Sequence, residues 1–156
     1  MKENISTVKM PVAVICIFVW IGFLGAISFM EAWMKFQAPG ITLPLGLGIG
    51  RMVFNALNKV EWVMCIAILI NLIFIGKDFL KFKNITFLIP LVLLITQTLW
   101  LLPALDARAQ LIIDGESVAP SNLHVYFVLI EGIKTICLFI FGVSLFKRAK
   151  SIQDIT

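Results

Sequence analysis

The 156-residue chain is 60% hydrophobic and only 14% charged, and its mean hydropathy is +1.02. A typical soluble domain is about half apolar and about a quarter charged. The composition therefore argues against a soluble enzyme, a nucleic-acid-binding module and a disordered tail. The formal net charge of +4 comes from basic residues beside apolar runs, a pattern typical of the cytoplasmic ends of membrane helices rather than of a nucleic-acid partner.

The apolar runs predict four membrane-spanning helices. A spanning helix needs about 20 apolar residues to cross a hydrocarbon core of roughly 30 Å. The sequence places such helices at about 11–31, 52–76, 85–105 and 124–146. We predict an all-α fold, in which residues 1–156 form one integral membrane domain, a four-helix transmembrane bundle whose main partner is the lipid bilayer.

The first run is favoured as an uncleaved span over a signal peptide, because it is longer than a usual signal-peptide core and Glu31 follows without a clean cleavage site. The charge-free parts of the second and fourth runs, 62–76 and 135–146, are too short to cross alone. Those two helices must therefore continue through Glu61 and through Lys134 and Glu131.

The stretch 36–50 contains two prolines and four glycines, and it predicts an irregular connection between the first two helices. Its GLGIG run (Gly46, Gly48 and Gly50) has neither the preceding strand nor the full spacing of a phosphate-binding loop. We therefore expect no nucleotide site there.

The charge distribution predicts the orientation. The two tails and the connection at 77–83 hold 8 of the 13 basic residues but only 3 of the 9 acidic ones. Four spans place these three segments on one side, so the positive-inside rule predicts that both termini are cytoplasmic. We expect a bacterial inner membrane, with the segment containing Asp106, Arg108, Asp114 and Glu116 as an outer loop.

Ionisable residues at membrane depth are costly and by default suggest function. Counting roughly 1.5 Å per residue from the cytoplasmic helix ends puts four polar side chains at roughly 18–22 Å. These are Glu61, Gln97, Glu131 and Lys134. We predict that they form a pocket or an ion relay.

A second polar tier lies near the outer boundary, at roughly 30–33 Å by the same count. It consists of Glu31, Asp106 and His124, with Arg51 and Arg108 nearby. We predict that these residues form the mouth of the pocket. The two tiers would then line a small outward-facing cavity that binds or relays an ion, a proton or a small solute.

Two alternatives stay open. The deep charges are also explained as a structural ion-pair network that fixes helix register, with Gln97 satisfying spare groups. A metal site would draw on Glu31, Asp106, His124 and Glu131, although the chain has a single histidine and no tight ligand spacing.

The competing functional classes are a membrane-embedded metal- or cofactor-dependent oxidoreductase and a structural subunit in a homo-oligomer or membrane complex. We favour a non-enzyme and predict no cofactor.

Several segments together resemble a known group. The runs GFLGAISFMEAWMKFQAPG, GLGIGRMVFNALNKVEW, LPALDARAQ and LHVYFVLIEGIK resemble small four-span proteins of the DUF4149, or transmembrane-protein-205-like, group. The resemblance implies an integral membrane protein without an established biochemical activity, and some members of that group are linked to the handling of toxic compounds or metals. The positions that it picks out are Gly25, Phe36, Pro39, Gly46, Phe54, Pro103, Arg108 and His124.

Overall fold

Four long helical runs make up most of the computed structural model, which describes residues 6–8, 10–75 and 85–148. The first helix is Pro11–Gln37, the second Leu43–Ile75, the third 85–113 and the fourth Leu123–Ser144. Each is long and apolar enough to cross a membrane. The prediction of an all-α bundle of four transmembrane helices is confirmed.

A short strand pair joins the two ends of the chain. Strand β1 (Ser6–Val8) pairs antiparallel with strand β2 (Phe146–Arg148). We call this side of the bundle the tail end, and the side with connections 38–42 and 114–122 the loop end. The basic connection at 77–83 lies outside the described residues.

The helices pack through seams of buried residues that repeat at intervals of three and four. On the fourth helix the seam is Phe127, Glu131, Lys134, Leu138 and Phe141. The other seams are Ala13, Ile17, Trp20 and Leu24; Leu57, Glu61, Cys65, Ile68 and Leu72; and Phe87, Pro90, Leu94, Gln97 and Leu101. This spacing places successive members of a seam on one helix face. The buried polar groups therefore occupy ordinary core positions.

The third helix crosses from one neighbour to another. Its first part, Ile85–Thr96, packs on the fourth helix, whereas its last part, Leu102–Ile113, packs on the second. A π-helical turn, Gln97–Leu101, joins the two parts. Pro103 follows and cannot donate a backbone hydrogen bond to the preceding turn. π-Helical turns of this kind occur often at functional sites.

Several predicted boundaries were wrong. The second helix already begins at Leu43, so the GLGIG run is helical and the irregular connection is shorter than 36–50. The first helix continues past Glu31 through a π-helical turn and a short 3-10 turn to Gln37. The third continues to Ile113, so Asp106 and Arg108 are helical rather than in a loop. The fourth ends at Ser144.

Candidate functional site

Four polar side chains from three helices meet in the interior, and we call them the Lys134 cluster: Glu61, Gln97, Glu131 and Lys134. The Lys134 ammonium contacts both acids: it donates a hydrogen bond to Glu61 Oε1, and its Nζ lies 3.0 Å from Glu131 Oε1. The exposed fraction of these three residues is 0–2%. Because a buried charge without a partner is energetically unfavourable, each of these three charged groups depends on the others for compensation.

Neutral donors complete the cluster. Trp20 Nε1 on the first helix donates to Glu61 Oε1 at 3.0 Å, and Gln97 Nε2 donates to Glu131 Oε1 at 2.8 Å. All four helices therefore contribute a polar group at this level. The indole and amide hydrogens lower the cost of burying the carboxylates, because buried polar groups are stable only when they are paired.

Two buried acceptors of the cluster have no hydrogen-bond partner among the described residues. They are Oε2 of Glu131 and Oε1 of Gln97. Native structures rarely leave such atoms unpaired, and an unpaired buried polar group typically costs about 1–3 kcal/mol. The cluster is therefore almost fully paired, with unsatisfied acceptors concentrated on the Glu131 side.

An ion pair at the loop end ties the second helix to the third. Arg51 Nε donates to Asp106 Oδ1 at 2.5 Å, and its Nη2 donates to Asp106 Oδ2 at 2.9 Å. Its Nη1 donates to Gln110 Oε1. This is a two-point guanidinium–carboxylate pair, the strongest common geometry of an ion pair. All three nitrogens of Arg51 are engaged.

Lys35 forms a second charged group at the loop end. Its Nζ lies 3.3 Å from Glu31 Oε2, one helical turn back, and 5.2 Å from the centroid of the Phe54 ring. Its side chain is only 9% exposed. An ammonium has three donors, and the described contacts give it one hydrogen-bond acceptor. Lys35 therefore retains unused hydrogen-bond donors in mostly apolar surroundings.

Two glycines of the GLGIG run create the space that Lys35 and its neighbour Phe36 occupy. A Cβ added at Gly46 would lie 2.2 Å from Phe36 Cε1, and one at Gly50 would lie 2.9 Å from Lys35 Nζ. Gly48, between them, has nothing within 4 Å. Gly46 and Gly50 therefore lie on the face of the second helix that packs against the end of the first helix.

These loop-end groups surround a cavity of about 230 Å³. Its polar lining comes from Lys35, Arg51, Asp106 and His124, and the ring nitrogens of His124 form no hydrogen bond with any described residue. The rest of the lining is mainly apolar and includes Leu47, Phe54, Leu102, Leu105, Ala109 and Phe127. An apolar cavity with a few convergent polar groups is the usual form of a small-molecule site.

The cavity and the Lys134 cluster are separate sites. Phe54 and Phe127 line the cavity and pack edge to face, with their ring centroids 5.1 Å apart. Glu131 lies one helical turn beyond Phe127, about 6 Å along the axis. No member of the cluster lines the cavity. The aromatic pair therefore forms its floor.

The structure thus divides the predicted site residues. Glu61, Gln97, Glu131 and Lys134 come together, whereas Arg51, Asp106 and His124 line the cavity and Glu31 reaches it through Lys35. Arg108 was expected at the mouth but instead donates from Nη2 to the carbonyl of Ala119 in the 114–122 connection. The loop-end cavity itself does not extend to the four deep residues.

The four candidate metal ligands are not gathered. Glu31 pairs with Lys35, Asp106 with Arg51, and Glu131 with Lys134. Within residues 6–8, 10–75 and 85–148, no three His, Cys, Asp or Glu side chains are grouped in a way that could hold a metal ion. The described residues therefore give no support to the metal-site alternative.

Sequence reasoning missed four important side chains: Trp20, Lys35, Phe54 and Phe127. The seam spacing already pairs Trp20 with Ile17 and Leu24 on the buried face, and a buried indole needs an acceptor. Lys35 was missed because the first helix was expected to end at Glu31. Phe127 is one helical turn from Glu131 and Phe54 is two turns from Glu61, and only three-dimensional packing brings the two rings together.

Comparisons with protein-family models, with curated proteins and with solved structures find no match to this chain.

Proposed function

We propose that this membrane protein binds a small amphipathic molecule with an anionic oxygen-bearing head, in the cavity at the loop end. The observation that carries the proposal is the position of Lys35. Its ammonium lies in the wall of a mainly apolar cavity and has donors to spare. A ligand carboxylate or similar group would accept from it, and His124 offers a second polar contact at the rim.

The cavity volume limits the size of the ligand. An apolar cavity of about 150 Å³ holds benzene, so a cavity of 230 Å³ suits a ligand of about nine or ten non-hydrogen atoms. The apolar lining favours a ring or short alkyl body, and the floor made by Phe54 and Phe127 limits its length. Benzoate has the required size and polarity and is the probe of choice.

We also propose an orientation for the protein in the membrane. The basic bias of the tails and of segment 77–83 supports a cytoplasmic tail end, and the pairing of β1 with β2 keeps both tails on one side. The cavity then opens away from the cytoplasm, where it can take up a solute from outside or from the outer leaflet.

The test measures binding of benzoate, benzyl alcohol and benzylamine to the protein in lipid nanodiscs. Benzoate is expected to bind best and benzylamine worst. Lys35→Met should weaken benzoate binding roughly 10- to 100-fold, because a hydrogen bond to a charged group is worth about 1.5–3 kcal/mol. The same substitution should leave the affinity for benzyl alcohol nearly unchanged.

Lys59→Met provides the matched control. Lys59 is an exposed lysine of the second helix that does not line the cavity. Its substitution removes the same charge from the chain without touching the proposed contact. Equal losses of benzoate affinity in both variants would overturn the proposal, as would equal affinity of the wild-type protein for all three probes.

A further inference from the structure

The charges of the Lys134 cluster do not balance. Glu61 and Glu131 contribute two carboxyl groups and Lys134 contributes one ammonium, all within a region that is at most 2% exposed. With both acids ionised, the cluster carries one uncompensated negative charge. A buried charge without a partner is strongly disfavoured, and a group in that position takes up a proton instead.

No other described charge offsets this excess. The first helix contributes only the neutral indole of Trp20, and the third only the amide of Gln97. On the second helix, Lys59 lies two residues before Glu61 but is exposed rather than buried with the cluster, and the thiol of Cys65 lies one turn beyond Glu61. The nearest cations at the loop end, Lys35 and Arg51, line the cavity on the far side of the aromatic floor and already pair with Glu31 and Asp106.

The unpaired acceptors show where a proton fits. Glu131 Oε2 is buried without a hydrogen-bond partner, although Oε1 of the same carboxyl receives both Lys134 and Gln97. Protonation converts a carboxylate oxygen from an acceptor into a donor. Gln97 Oε1 is a second buried acceptor without a partner on the same side of the cluster.

We propose that the Lys134 cluster is a proton-binding site, which holds one exchangeable proton on the carboxyl pair Glu61 and Glu131, with Glu131 Oε2 as its open position. The proton leaves the cluster neutral, with one ammonium, one carboxylate and one carboxylic acid. This inference rests on the interior cluster and is independent of whether the cavity binds a carboxylate ligand.

The surroundings predict the side from which the proton exchanges. Towards the tail end, the buried side chains beyond the cluster are Cys65, Asn71 and the apolar Ile68, Leu72, Leu94, Leu138 and Phe141. Towards the loop end, the layer between the cluster and the cavity is about one helical turn thick and consists of the Phe54–Phe127 floor with buried Leu24, Leu57 and Leu101. The proton therefore exchanges through the cavity, and the cluster responds to pH at the loop end.

The test uses the full chain in nanodiscs and dicyclohexylcarbodiimide, an apolar reagent that adds to carboxylic acids but not to carboxylates. The acid gives its proton to a carbodiimide nitrogen while its oxygen bonds to the central carbon, and the adduct rearranges to a stable N-acylurea. Mass spectrometry of peptides should locate one adduct on Glu61 or Glu131. The yield should fall as the pH rises.

Single substitutions give the sharpest outcome. Glu61→Gln and Glu131→Gln each leave one carboxylate beside one ammonium, a neutral pair that needs no proton, so the remaining glutamate should no longer be labelled. Glu116→Gln, in the exposed connection, should leave labelling intact. Wild-type protein without an adduct, or single variants labelled as strongly as the wild type, would overturn the proposal.

A second measurement needs no variant. Infrared spectroscopy of the wild-type protein should show the carbonyl stretch of one buried carboxylic acid, which shifts when the nanodiscs are moved into D₂O. If the acid region of the spectrum contains no such band over the pH range in which the protein is folded, both carboxyls are ionised and the cluster holds no proton.

Discussion

Lys134 on the fourth helix binds Glu61 on the second, and both residues are almost completely buried. The same ammonium contacts Glu131 one turn away, so a single cation organises acids from two helices. The interaction replaces apolar packing at three seam positions. We therefore expect the register of the bundle to depend on the Lys134 cluster, because a shift of either helix along its axis would separate these groups.

Lys134→Met is expected to destabilise the fold by about 3–5 kcal/mol, because it leaves two buried carboxyl groups without their cation. The triple variant Glu61→Leu, Glu131→Leu, Lys134→Met should recover most of that loss, since well-packed apolar residues often replace a buried ion network without cost. Reversible unfolding in detergent with a denaturant measures both values. If the single variant is as stable as wild type, the network does not determine register.

The close approach at the GLGIG run predicts opposite effects for two neighbouring glycines. Gly46→Ala should cost about 1–3 kcal/mol, because the new methyl overlaps the Phe36 ring. Gly48→Ala has open space and should stabilise the helix by about 0.5–1 kcal/mol. Thermal unfolding of both variants in the same detergent provides the comparison. Equal effects at both positions would contradict the packing described for this face.

The aromatic floor predicts a change in ligand size. Phe127→Ala should extend the cavity towards the cluster, so that 4-propylbenzoate, too long for the wild-type cavity, gains affinity relative to benzoate. The variant should also lose about 3–5 kcal/mol of stability. Phe139→Ala, on the exposed side of the same helix, is the control and should leave the ratio of the two affinities unchanged. An unchanged ratio in Phe127→Ala would mean that the ring does not close the cavity.

Orientation is tested by cysteine labelling in a background without Cys16, Cys65 and Cys137. A cysteine at Ser121, in the 114–122 connection, should react with a membrane-impermeant maleimide added to intact cells. A cysteine at Ser151, in the C-terminal tail, should react only after the membrane is opened. The reverse pattern would place the cavity on the cytoplasmic side.

The sequence predicted the deep layer well and the loop end poorly, for identifiable reasons. Glu61, Gln97, Glu131 and Lys134 lie inside continuous helices, where a fixed rise per residue converts position into height. That rule fails where helices begin and end. Pro44 and the glycines suggested a loop, yet proline is well tolerated in the first turn of a helix, and here the second helix begins at Leu43.

The sequence also could not predict that these polar residues form two separate sites. The height count placed His124 one tier above Glu131 on the fourth helix, and this suggested a continuous pocket. Phe127 lies between them on the fourth helix, and its edge-to-face contact with Phe54 from another helix lies at the wall of the cavity that is nearest to Glu131. Such a contact depends on how the helices are rotated, which the spacing of polar residues does not specify.

The most direct test of the account is the location of bound benzoate. Nuclear Overhauser contacts should be measured between its ring protons and isotopically labelled leucine methyl groups of the protein in nanodiscs. Benzoate bound in the cavity should give contacts to the cavity-lining Leu47, Leu102 and Leu105, which disappear in Lys35→Met. Contacts instead to Leu99, which is 76% exposed on the outside of the bundle, would contradict it.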